Sequence, residues 1–109
     1  MIYIDFLTTA EGKLTGFRMA GHSGYVPEGE DDIVCAAVTS AALMSINTIT
    51  DVLMVNPMSA RAEYGEIFLR VAVKDEAEVR PILKGLKLHL ENLEEQYPQN
   101  IKVSYLEVQ

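Results

Sequence analysis

The residues with the clearest capacity for chemistry are Cys35, the only cysteine, and His22, one of two histidines. They sit at the two ends of Gly21-His22-Ser23-Gly24-Tyr25-Val26-Pro27-Glu28-Gly29-Glu30-Asp31-Asp32-Ile33-Val34-Cys35, which runs on into Ala36-Ala37-Val38-Thr39-Ser40. The pattern predicts a strand end, a glycine-rich loop and a helix start, with Cys35 in the first helical turn. No single helix or strand face brings the pair together, so the loop must fold His22 back over the helix. Glycine permits the positive φ angles that such a return needs, and Gly24 and Gly29 are available for it. A thiol at a helix N-terminus lies near unpaired N–H groups and the positive end of the dipole, which favour the thiolate. Asp31 and Asp32 act in two opposed ways: as caps they stabilise the helix, and as nearby negative charges they disfavour the thiolate. A neighbouring imidazole would take the thiol proton and later protonate a leaving amine. The plainer alternative is a small buried cysteine and an ordinary polar loop histidine.

Thr39 falls one helical turn beyond Cys35 and shares its face, so its hydroxyl can approach the sulfur or bond back to the helix. Backbone N–H groups at the helix start, that of Cys35 included, are natural donors to an oxyanion. His89 flanks an apolar stripe on a later helix and reads as a surface residue. Glu28, Glu30, Asp31 and Asp32 do not match the alternating ligands of a calcium loop. One cysteine and two histidines fall short of a zinc set. With no phosphate loop and no dinucleotide fingerprint, no metal and no cofactor is expected.

The chain has 109 residues, the length of one domain, and 49% hydrophobic residues allow a substantial core. A lone cysteine excludes an internal disulfide framework and fits a reducing, cytoplasmic setting. The N-terminal Met-Ile-Tyr-Ile-Asp-Phe lacks the basic region of a signal peptide. A formal charge of −7 argues against direct nucleic-acid binding and favours a cationic partner, or serves solubility alone.

Around the Cys–His stretch, strands are expected over 2–8 and 14–20, joined by a turn at Gly12. Ile33 to Val55 is expected to form one long, largely buried helix ended by Asn56-Pro57, one face on the sheet and another on a partner subunit. Its length raises a membrane span, against which Thr39, Ser40, Ser45, Asn47, Thr48, Thr50 and Asp51 argue. Ser59 to Tyr64 and Ile67 to Val73 form a second hairpin. Asp75 is placed to cap a helix over 76–97, with Glu76 and Glu78 suited to its dipole and Pro81 predicting a kink or a later start near Arg80. Val79, Ile82, Leu83, Leu86, Leu90, Leu93 and Tyr97 form that helix's apolar stripe. Ile101 onward alternates as a last strand. The order β-β-α-β-β-α-β gives an α+β two-layer sandwich, one mostly antiparallel sheet with two helices and room for a parallel pair across a crossover.

The Gly21-His22 pair, Gly29, the segment Asp32-Ile33-Val34-Cys35-Ala36 and the hydroxyl residue at Thr39 together resemble the bacterial ribosomal-processing cysteine protease family, Prp. The loop before Asp32 is one residue longer than the family's Gly-x-Asp pattern, and Thr39 stands where the family has serine. The resemblance implies a cysteine endopeptidase using Cys35 and His22, supported by Gly21, Asp32 and Thr39, with Gly24, Tyr25 and Gly29 in a substrate loop. It implies a homodimer, and as substrate the short N-terminal extension of the twenty-seventh large-subunit ribosomal protein, a basic protein. Two other readings of the residues stand beside it. One is a non-enzymatic ribosome-assembly or interaction module with a packed cysteine; the other is a redox-sensing thiol.

Overall fold

The computed structural model describes residues 1–27, 32–63 and 65–108. Strands β1 (Ile2–Thr8) and β2 (Leu14–Gly21) lead into helix α1 (Ile33–Asn47), which continues as a π-helical turn over Thr48–Val52. Strands β3 (Ser59–Glu63) and β4 (Glu66–Arg70) follow. A 3-10 turn at Val73–Asp75 then opens helix α2 (Glu76–Gln96), and strand β5 (Ile101–Glu107) ends the order. The expected β-β-α-β-β-α-β succession is therefore present. The five strands form one sheet in the order β3-β4-β2-β1-β5. β1 pairs antiparallel with β2 and parallel with β5, while β4 lies antiparallel between β2 and β3.

Strand alternation decides which face the helices cover. Ile2, Ile4 and Phe6 of β1, Phe17 and Met19 of β2, and Ile67 and Leu69 of β4 point into one core with residues of both helices. Phe6 and Phe17 are fully buried with ring centroids 6.3 Å apart, and burying each side chain is worth about 2–3 kcal/mol. The other face carries charge. Glu66 there accepts from Arg18 at 2.8 Å and Arg61 at 2.7 Å, and Arg61 lies over the Phe68 ring. The outer edge of β5 is covered from α2, where the Glu94 carboxylate accepts the Val103 N–H at 2.7 Å. That bond removes a strand donor that could recruit another chain.

The long apolar helix departs from expectation in two respects. Only one stripe of it is core: Val34, Val38, Ala42, Ser45 and Ile46, continued by Ile49 in the π turn. Ile33, Met44 and Val52 remain exposed, although Ile33–Val52 is long and apolar enough to cross a membrane by length and composition, with mean hydropathy 1.7. The helix also stops before Asn56-Pro57. The Leu53 N–H closes the wide turn onto the Thr48 carbonyl at 2.8 Å, and Met54 turns left-handed with φ +56°. The Val55 N–H then reaches back to the Ile49 carbonyl at 2.9 Å. These bonds satisfy terminal carbonyls and reverse the chain before the proline is reached.

In α2 the stripe Val79, Leu83, Leu86 and Leu90 is buried as its spacing predicts, with Ile82, Leu93 and Tyr97 packed beside it. Asp75 makes no side-chain cap: the preceding 3-10 turn holds it at φ −98° and ψ −1°, helical angles in place of the extended ones of a capping residue. Glu76 is buried and takes Arg80 in a fork, Nε at 2.8 Å and Nη2 at 2.6 Å. Those bonds hold its carboxyl below the usual range against the opposing effect of burial. The helix runs through Pro81 from Glu76, so it does not restart near Arg80.

The one-sided burial of this segment is measurable. Ile49→Ala removes a fully buried side chain and should cost about 2–5 kcal/mol in urea unfolding. Val52→Ala, at a position 72% exposed three residues on, should stay within about 0.5 kcal/mol.

Candidate active site

Two chain reversals set the site. β2 ends at Gly21, whose φ is +96° and whose absent Cβ would lie 2.4 Å from the Met1 carbonyl oxygen. Only glycine fits there, on both grounds. Its N–H donates to the Gly65 carbonyl in the β3–β4 turn at 3.2 Å. His22 follows directly, so the strand delivers the imidazole to the end of the sheet. The chain turns again at Gly24, with φ +71°.

The second half of the site is the start of α1. Asp32 adopts extended angles (φ −107°, ψ 102°) and its side chain caps the helix. Its Oδ1 accepts the Val34 N–H at 3.0 Å and the Cys35 N–H at 2.9 Å, two donors that no helical carbonyl can reach. The cap reading of Asp32 therefore holds. The Cys35 N–H, in contrast, is engaged by this carboxylate and is not the open oxyanion donor that the helix position suggested.

Cys35 is a free thiol of intermediate exposure. Its Sγ lies 4.0 Å from the Thr39 hydroxyl, one turn along the same face. His22, Cys35 and Thr39 line one cleft of about 150 Å³, with Gly21, Ala20 and Met19 of β2, Ile2 of β1, and Glu63, Gly65, Glu66 and Ile67 of the second hairpin. The fold thus brings together His22 and Cys35, which the sequence separates by a loop. His89 lies exposed on α2, away from this lining. Gly29, with Glu28, Glu30 and Asp31, lies outside the described residues.

Two side chains of the site had not been singled out. Ser23 is 1% exposed. Its hydroxyl donates to Asp32 Oδ2 and accepts the Tyr25 N–H at 3.0 Å. The Ser23 carbonyl accepts from Asn100 Nδ2 at 2.9 Å, a residue 77 positions away at the foot of β5. Ser23 adjoins His22 in a Gly-His-Ser-Gly run, a local cue that a hydroxyl there would face the histidine's surroundings. Nothing in the turn Pro98-Gln99-Asn100 marked Asn100. Tyr25 of the expected substrate loop packs edge-on against Tyr97, centroids 5.7 Å apart at 89°. The described start of the loop is therefore anchored at Ser23 and at Tyr25.

Burial raises the Asp32 carboxyl, but the Ser23 hydroxyl and the N–H groups of Cys35 and Val34, helped by the His22 charge, outweigh it and leave the group below its ordinary value.

A family model described as cysteine protease Prp matches residues 1–102. The chain belongs to this family. The ribosomal processing cysteine protease Prp of Staphylococcus aureus (strain Mu50) is 30% identical over 106 residues, covering 96% of this chain and 99% of that one. The Prp of Bacillus subtilis (strain 168) is 26% identical over 111 residues, with 95% and 96% covered. The fold agrees as well. A crystal structure of S. aureus Prp with a covalently linked product peptide superposes with a TM-score of 0.85 at 30% identity, over 97% of this chain and all of that one. Its complex with a substrate peptide gives 0.81 at 29% identity and the same coverage. The Prp family is one of cysteine proteases acting in ribosomal processing, so the chain is a hydrolase and not a passive scaffold. The lone cysteine of this Prp chain faces a cleft, in keeping with that class.

Two substitutions test the site, one at the cap and one at the chain reversal. Because the Asp32 carboxyl is held low in the folded chain, its contribution is fully present above the unfolded value, about 3.9, and is lost as pH falls through the lower folded value. Asp32→Ala should cost about 1–2 kcal/mol in urea unfolding at pH 7, with the gap to the parent closing as the medium is acidified below that range. Equal stabilities at pH 7 would mean that the cap contributes nothing. Gly21→Ala should lower the thermal midpoint and cleavage together, since the added methyl meets the Met1 backbone.

Proposed function

We propose that this Prp-family enzyme is an endopeptidase working through a Cys35–His22 dyad. Cys35 Sγ attacks the scissile carbonyl carbon as His22 takes the thiol proton. The tetrahedral adduct collapses with cleavage of the C–N bond, and His22 returns its proton to the departing amine. The N-terminal fragment remains as a thioester on Cys35. A water molecule, deprotonated by His22, attacks that thioester and releases the carboxylic acid and the thiol. Asp32 fixes the start of α1 under the sulfur, the Thr39 hydroxyl offers a hydrogen bond to it, and Gly21 lets His22 approach. Gly24, Tyr25 and Gly29 belong to the loop against which the peptide lies.

The observation that carries this reading is the shared cleft: His22 and Cys35 line it from two elements joined only by a loop. The substrate is the basic N-terminal extension of the twenty-seventh large-subunit ribosomal protein, cut behind a pair of aromatic residues. The peptide complexes of S. aureus Prp support a peptide ligand. The formal charge of −7 and Glu63 in the cleft lining favour a cationic one. The enzyme works in the cytoplasm as a homodimer, without metal, cofactor, nucleic acid or membrane.

Cys35→Ala and His22→Ala should each lower cleavage of a peptide carrying that extension by at least roughly a thousandfold, with far-ultraviolet circular dichroism unchanged. A mass spectrum of the digest reads the cut directly. Turnover by either variant at the parent rate removes that residue from the mechanism.

A further inference from the structure

We propose that Ser23 is a positioning residue that clasps the histidine arm of the site to the cysteine helix through Asp32. The inference rests on the dyad reading and adds the device that sets its geometry. His22 comes from the end of β2 and Cys35 from the start of α1. Their separate anchors meet in one carboxylate. Asp32 Oδ1 faces α1 and takes the N–H groups of Val34 and Cys35, whereas Oδ2 faces the loop and takes the Ser23 hydroxyl. Ser23 is the residue after His22, so this bond fixes the backbone that carries the imidazole.

Two further contacts hold Ser23 itself. It is 1% exposed, its hydroxyl accepts the Tyr25 N–H, and its carbonyl is held by Asn100. Asn100 is rooted in the sheet, its carbonyl accepting the Ile2 N–H at 2.8 Å and its N–H donating to the Tyr97 carbonyl at 3.0 Å. The arm carrying His22 is thus tied on one side to the foot of β5 and on the other to the helix that presents the thiol. A hydroxyl bound to a carboxylate in a buried place is a strong and directional link. Alanine at position 23 keeps the helix cap, because Oδ1 is untouched, and cuts the link between the two arms together with the bond from the Tyr25 N–H.

The test compares kinetics of Ser23→Ala, Asp32→Ala and the double variant on the extension peptide, with Cys35→Ala and His22→Ala alongside. A misplacement of about 1 Å costs on the order of a hundredfold in rate, so Ser23→Ala should lower kcat by roughly ten- to a hundredfold and change KM by less than about threefold. The double variant should be no slower than Asp32→Ala alone, because either change removes the bond between Ser23 and residue 32. Thermal unfolding must place the midpoint of each variant above the assay temperature. Should Ser23→Ala fail to fold, Asn100→Ala, which frees the same backbone from the sheet, should give the same fall in kcat. Parent kcat in a folded Ser23→Ala, or fully multiplicative losses in the double variant, overturns the clasp while leaving the dyad intact. Undiminished cleavage by Cys35→Ala or His22→Ala overturns both.

Discussion

The carboxylate of Asp32 is where the two halves of the site become one object. A carboxylate has two oxygens with acceptor sites on opposite sides, and here one serves the helix and the other the loop. Between His22 and Cys35 the chain carries two glycines and four acidic residues. Bringing the ends of a segment of that length together costs about 2 kcal/mol of chain entropy plus a constant. A hydrogen bond to a charged group returns roughly 1.5–3 kcal/mol. The bond from Ser23 is therefore of the right size to decide whether the ends stay together. Tyr25 on Tyr97 and Asn100 on the Ser23 carbonyl add to the same side.

The sheet supplies what this bond needs at its base. β1 lies between β2, whose end carries His22, and β5, whose foot carries Asn100, and the pairing of Ile2 with both Gly21 and Ile101 puts those positions in one row. The parallel β1–β5 pair is the reason a residue near the C-terminus can support a loop near the N-terminus. On the other side, β4 next to β2 brings the turn at Gly65 against Gly21 and closes the far wall of the cleft. Site and sheet end coincide, so the rigidity of a buried core passes directly to the strand that ends in His22.

Features governed by neighbours in sequence were readable from the sequence. Strand β1, the hairpin turn at Gly12, the stripe of α2 and the Asp32 cap all depend on contacts within a few residues, and each is found. The misplaced end of the first helix has unmarked causes. The π turn at Thr48–Val52 has no residue signature, and the reversal at Met54 uses a non-glycine residue with positive φ, which no rule of composition anticipates. Asp75 had the right type for a cap, yet the 3-10 turn before it holds its backbone at helical angles. In α1, a core stripe built from valine, alanine and isoleucine sits beside exposed Ile33, Met44 and Val52, so the segment looks apolar on every side while only one side is buried. Ser23 and Asn100 meet across 77 residues, and no pattern along the chain connects them.

The distribution of charge bears on the site as much as its amount. With a formal −7, what matters is where negative charge is left without a partner. Glu66 is held by Arg18 and Arg61, Glu76 by Arg80, and Glu91 by Lys87 and the Tyr105 hydroxyl. Asp32 is taken up by backbone donors and Ser23, and Glu94 by the Val103 N–H. Glu63, in the wall of the cleft, enters no ion pair among the described residues. Arg18 and Arg61 are occupied on the open face of the sheet, where they pair with Glu66 at the edge of the cleft. A carboxylate so placed, with the excess negative charge of the chain behind it, gives the cleft beside the thiol a negative potential.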